Sequence, residues 1–90
     1  MLEDVAIGRP RQDLGTETVD GELIVLDKQN GKVHQLNRTA SQVFVRMTDG
    51  ASRGTIIKEL TGTYDVPEET AKRDVDRITS QFRELQLLEL

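Results

Sequence analysis

The sequence predicts an α+β fold in a winged helix-turn-helix layout: a three-stranded antiparallel sheet followed by three helices. In the first half, short β-prone stretches are separated by Asp20-Gly21 and Asn30-Gly31, residues that tolerate the positive φ of tight hairpin turns. In the second half, apolar residues recur at helical spacing in three runs, each bounded by capping residues or glycine.

Residues 16–19 form the first expected strand, ending at the Asp20-Gly21 turn. Residues 23–26, Leu-Ile-Val-Leu, form an apolar second strand, and residues 33–36 a third. This meander puts the second strand in the centre and leaves the other two as edges. The register of the second hairpin has two solutions. A two-residue turn pairs Asp27 with His34 and Val25 with Leu36, whereas a three-residue turn with a bulge at Gly31 shifts every pair by one and exchanges faces. The face of His34 therefore stays open, while Leu36 is expected to be buried in either register.

Asn37 is the expected N-cap of the first helix, its side-chain oxygen accepting from a free first-turn amide. Ala40, Val43, Phe44 and Met47 form its inner stripe, and Asp49-Gly50 stops it. Ser52 caps the second helix, which turns Ile56, Ile57 and Leu60 inward and is expected to end at Gly62. The third starts around residues 65–68, where Pro67 is harmless in a first turn and the acids complement the helix dipole. Its expected core stripe is Ala71, Val75, Ile78, Phe82 and Leu85. Glu68 with Lys72, and Glu69 with Arg73, are favourably ordered pairs four residues apart. The apolar residues 87–90 are expected to fold back onto the body. Residues 1–13, with Gly8, Pro10 and mixed charges, read as a flexible N-terminal arm, and residues 14–90 as the folded domain.

Ninety residues suffice for one small domain with a modest core. Aromatics are limited to Phe44, Tyr64 and Phe82, so that core is aliphatic. Without cysteine there is no disulfide, thiol nucleophile or thiolate metal site, which fits a cytoplasmic protein. No apolar run approaches the ~20 residues of a membrane helix, and the N-terminus lacks the features of a secretion signal. A net charge of −4 disfavours non-specific attachment to nucleic acid or anionic lipid.

Catalytic and cofactor motifs are missing. His34 is the only histidine and has no second His or Cys with which to bind a metal, and no nearby nucleophile. The stretch "GASRGT" lacks the lysine and the preceding strand of a phosphate loop, and reads as a helix stop followed by a helix start. Asp49 and Asp65 lack the alternating oxygen donors of a calcium loop. No enzyme activity, cofactor or metal is expected. The layout also suits a DNA-binding or regulatory winged helix, but its recognition helix would open with Glu68, Glu69, Asp74 and Asp76 facing phosphates. A third possibility is an accessory domain that only stabilises a larger enzyme.

The third strand is short, lies at a sheet edge and leads directly into a helix. Its outer backbone groups lack a partner unless charge or the N-terminal arm covers them, and an extended peptide can add there as a further strand.

The ordered set "LDKQNGKVHQLNRTASQVF", "DGAS", "IIKELTGTYDV" and "RDVDRITSQFRELQLLEL" resembles the PqqD-like family, over about residues 16–90. The spacing of Asp27, Gly31, Leu36-Asn37, Asp49-Gly50, Tyr64-Asp65 and Asp74-Val75 is similar to stand-alone members that assist lasso-peptide maturation. The resemblance implies a non-catalytic adaptor that binds the leader of a ribosomally made precursor peptide and presents it to a peptidase, cyclase or radical enzyme. It further implies that the leader pairs antiparallel with the third strand, at Val33, His34, Gln35 and Leu36, and lies against Thr70, Asp74, Arg77, Ile78 and Gln81 of the third helix. Asp74 and Arg77 would supply charge-assisted contacts and Ile78 a pocket floor. Two positions depart from the family pattern: Arg38 stands where a small residue or proline is common, and Gln86 where glycine is.

Overall fold

The computed structural model describes residues 7–89. Strands β1 (Gly15–Val19), β2 (Glu22–Asp27) and β3 (Lys32–Gln35) precede helices α1 (Arg38–Thr48), α2 (Arg53–Tyr64) and α3 (Glu68–Glu84). The sheet is antiparallel in the order β1-β2-β3, so the expected architecture is present and β2 is central. Among the described residues, no helix is long and apolar enough to cross a membrane.

The first hairpin closes as expected, with Asp20 and Gly21 at φ 53° and 80° and Val19 opposite Glu22. The second follows neither expected register. Residues 28–31 form a four-residue loop, and Asp27 pairs with Lys32, Leu26 with Val33, Val25 with His34 and Ile24 with Gln35. Asp27 is the cause. Its carboxylate accepts from the Asn30 amide at 3.2 Å and from Asn30 Nδ2 at 2.8 Å, drawing Asn30 into a wider turn that Gly31, at φ 66°, completes. The result is a two-residue slip from the two-residue turn, and an even slip preserves the faces. His34 therefore lies on the inner side, with the fully buried Val25 and with Leu36, which is buried as expected.

Asp27 itself is buried against Arg11. The guanidinium donates to both Asp27 oxygens at 3.0 Å, to Asp13 at 2.6 and 3.0 Å, to Gln29 Oε1 at 3.0 Å and to the Gln86 carbonyl at 2.8 Å. The Arg11 amide also donates to the Leu87 carbonyl, and the Glu89 amide to the Arg9 carbonyl, making a short antiparallel bridge between Pro10 and Leu88. The expectation of a loose arm thus does not hold for residues 9–13, which are bonded to the sheet and the C-terminal segment; residues 1–6 lie outside the described residues. Leu87 and Leu88 are buried, as expected, and Leu90 lies outside the described residues.

Helix α1 packs on the inner face of β2, and α2 and α3 pack on each other and on α1. Asn37 Oδ1 accepts from the Ala40 amide at 2.8 Å and caps α1 as expected. Ser41 joins α1 to the sheet: its hydroxyl accepts from the Leu23 amide and donates to the Leu36 carbonyl. Ser52 caps α2, but that helix continues through Gly62 to Tyr64 and stops at Asp65, which is left-handed at φ 51°. A glycine inside a helix costs only about 1 kcal/mol, which the packing of Ile56, Ile57 and Leu60 overrides. Ala71, Val75, Ile78 and Phe82 of α3 are buried, and the Phe82 ring meets Phe44 edge to face at 5.5 Å. Leu85, expected in the same stripe, is 40% exposed because α3 ends at Glu84 and the chain turns away.

Hydrogen bonds from Arg11 and then Asn30 hold the Asp27 carboxyl well below the usual carboxylate range. A depressed carboxyl contributes stability that is fully present above the unfolded value of about 3.9 and is lost as pH falls towards the folded value. Denaturant unfolding of the wild type is therefore expected to weaken steeply below about pH 4, whereas Asp27→Asn, less stable at neutral pH, shows a shallower acid slope. Equal slopes would remove the clasp from the stability account. Gln86 sits at φ 60°, a left-handed conformation that favours glycine. Gln86→Gly is expected to raise stability by about 1 kcal/mol in the same assay, by relieving left-handed backbone strain.

Candidate peptide-binding site

The Leu36 amide donates to the Leu23 carbonyl at 2.8 Å, which fixes the direction of the β3 backbone groups. In an antiparallel ladder, alternate residues bond to the same neighbour. His34 and Leu36 therefore bond towards β2, and the N–H and C=O groups of Val33 and Gln35 point to the free edge. Nothing among the described strands pairs with that edge. Val33, at 67%, is the most exposed large hydrophobic residue of the sheet.

Beneath this edge lies a groove of about 570 Å³ between β3, the start of α1 and the end of α3. Leu36, Ala40 and Phe82 are its buried apolar lining, with Leu85 as an exposed apolar wall. His34, Gln35, Asn37, Gln81 and Glu84 supply the polar groups. The groove thus combines an unpaired backbone, an apolar floor and a few polar side chains, an arrangement suited to an extended peptide. Among the described residues there is no cluster of metal-ligating side chains.

Of the residues singled out from the sequence, Val33, His34, Gln35, Leu36 and Gln81 meet in this groove. Thr70, Asp74 and Arg77 do not line it. They continue the Gln81 side of α3 towards its N-terminus, at spacings of four, three and four. Asp74 and Arg77 face each other at 3.6 Å. Ile78 does not form the groove floor, because it is buried in the core at 2% exposure; Phe82, one turn further on, takes that place. Asn37, Ala40, Phe82, Glu84 and Leu85 are groove residues that sequence reasoning assigned to a cap, a core stripe or nothing. The available signal was Leu85, the last member of an apolar stripe that outruns its helix.

Three antiparallel strands followed by three helices, with β3 left as an open edge, define a winged-helix-like domain. Residues 22–88 match the family described as PqqD, coenzyme PQQ synthesis protein D, and the chain belongs to that family. A structure of lasso peptide synthetase B1 complexed with the leader peptide is similar with a TM-score of 0.82 at 29% identity, over 94% of this chain and 99% of that one. TbiB1 in complex with the TbiA(beta) leader peptide gives a TM-score of 0.84 over 90% of this chain and 94% of that one. Its 21% identity makes this a likeness of fold. None of the curated proteins matches the chain.

The backbone assignment has a direct check. Amide hydrogen exchange followed by NMR is expected to be fast at Val33 and Gln35 and slow at His34 and Leu36; the reverse order would place the free edge on the wrong atoms.

Proposed function

We propose that this protein is a non-catalytic adaptor that binds the leader of a ribosomally made precursor peptide as an added strand on β3. The observation that carries this reading is the unpaired edge of Val33 and Gln35 above an apolar groove. Family membership supports it, as does the similarity to two proteins whose structures contain a leader peptide. Backbone hydrogen bonds supply sequence-tolerant affinity, and the groove selects the side chains facing inward. The leader runs antiparallel to β3, with Val33, His34, Gln35, Leu36 and Gln81 in direct contact. Segments flanking the strand pass Thr70, Asp74 and Arg77. The bound leader raises the local concentration of the precursor at a peptidase, cyclase or radical enzyme of the same pathway.

The cations around α3 argue against a DNA-binding role. Lys72 lies 3.7 Å from Glu68, Arg77 3.6 Å from Asp74, and Arg53 2.9 Å from Asp76. These carboxylates already hold the charges that phosphates would need.

Titration with synthetic leaders of precursors encoded beside the gene is expected to shift and protect the Val33 and Gln35 amides saturably. Absence of any such shift would sink the proposal. Gln35→Pro removes an edge donor without breaking a bond to β2, so it is expected to abolish binding while the fold persists. Leu85→Ala, at a partly exposed wall, is expected to weaken binding about tenfold, with little change in melting temperature.

A further inference from the structure

Buried polar side chains in this small core have partners. Asp27 is held by Arg11 and Asn30, Ser41 bonds to Leu23 and Leu36, and Thr79 donates to the Asp76 carbonyl. His34 Nε2 is the exception. It is shielded from solvent and makes no hydrogen bond, alone in this respect among the described residues. A native interior rarely leaves such an atom without a reason. The inner face of the sheet around it carries Leu23, Val25 and Leu36, and the one buried charge there, Asp27, is already held by Arg11 and Asn30. His34 is also one of the residues that line the groove, as are Phe82, Glu84 and Leu85.

We propose that His34 is the specificity-determining residue of the groove, requiring a neutral hydrogen-bonding side chain at one inward-facing position of the bound peptide. This rests on the strand-addition reading above. A strand paired with β3 directs every second side chain under the sheet, towards the row that His34 and Leu36 occupy. Next to Leu36 that side chain is selected for apolar character; next to His34 it supplies the missing partner. Glu84 on the same groove disfavours a carboxylate there, and the apolar lining of Leu36, Ala40 and Phe82 disfavours a charged amine. A hydroxyl or carboxamide remains, and each can donate to or accept from an imidazole nitrogen. The imidazole meets it by turning about χ2, a broad torsion, towards the open groove.

A display library of fully randomised peptides, selected separately on the wild-type protein and on His34→Leu, tests this. The wild type is expected to enrich Ser, Thr, Tyr, Asn or Gln at one inward position, and His34→Leu to enrich apolar residues at the same position. A peptide selected on the wild type is expected to bind His34→Leu about tenfold more weakly, the cost of one lost hydrogen bond. The melting temperature of His34→Leu stays equal or rises, as a merely structural histidine would not allow. Identical selections on both proteins, with equal affinities, would overturn the role of His34 and leave strand addition standing. Failure of either protein to enrich any peptide would overturn both.

Discussion

A buried carboxylate governs the geometry of this domain. Asp27 ends the central strand facing inward, where an ion without partners is prohibitively costly. Arg11 neutralises it from the N-terminal segment, and Asn30 completes its hydrogen bonds from the hairpin loop. The same guanidinium reaches Gln86 at the end of the helical half. The pair therefore joins the N-terminal segment, the β2–β3 loop and the C-terminal segment, and its hydrogen bonds to Asn30 hold that loop at four residues. Loop length sets register, and because the slip is even, His34 and Leu36 keep the inner face and the bonds towards β2.

From that point the site follows by simple alternation. Val33 and Gln35 present backbone to the edge because His34 and Leu36 bond towards β2. Helix α3 contributes through the neighbouring stripes of one cylinder: Ala71, Val75, Ile78 and Phe82 hold the core, while Gln81, Glu84 and Leu85 border the groove. Phe82 belongs to both, packing on Phe44 on one side and lining the groove on the other. A groove built on packed elements is formed before a ligand arrives, so little of the binding free energy is spent on ordering the protein.

The departures from expectation have a common origin. Gly62 reads locally as a stop, yet α2 runs past it because Ile56, Ile57 and Leu60 pack against α3. Leu85 fits the periodicity of α3 but is left outside when the helix ends one residue earlier. Pro10 and Gly8 suggest a loose arm, yet Arg11 has a buried acid waiting sixteen residues away. At Gly62 and in residues 9–13 the local signal is overridden by contact with residues distant in the chain; at Leu85 it is overridden by the local hydrogen bonds that end α3.

By itself, the sequence determined the order and type of every element, the caps at Asn37 and Ser52, most of the core, and the third strand as the edge of interest. Those features depend on periodicity and on residues near one another in the chain. The tertiary structure alone decided the register of the second hairpin, the face of His34, the groove walls and the anchoring of residues 9–13. These depend on how Asp27, Arg11 and the end of α3 meet in space. A two-residue slip leaves the hydrophobic pattern unchanged, so no pattern in the chain distinguishes the registers; only the buried charge does.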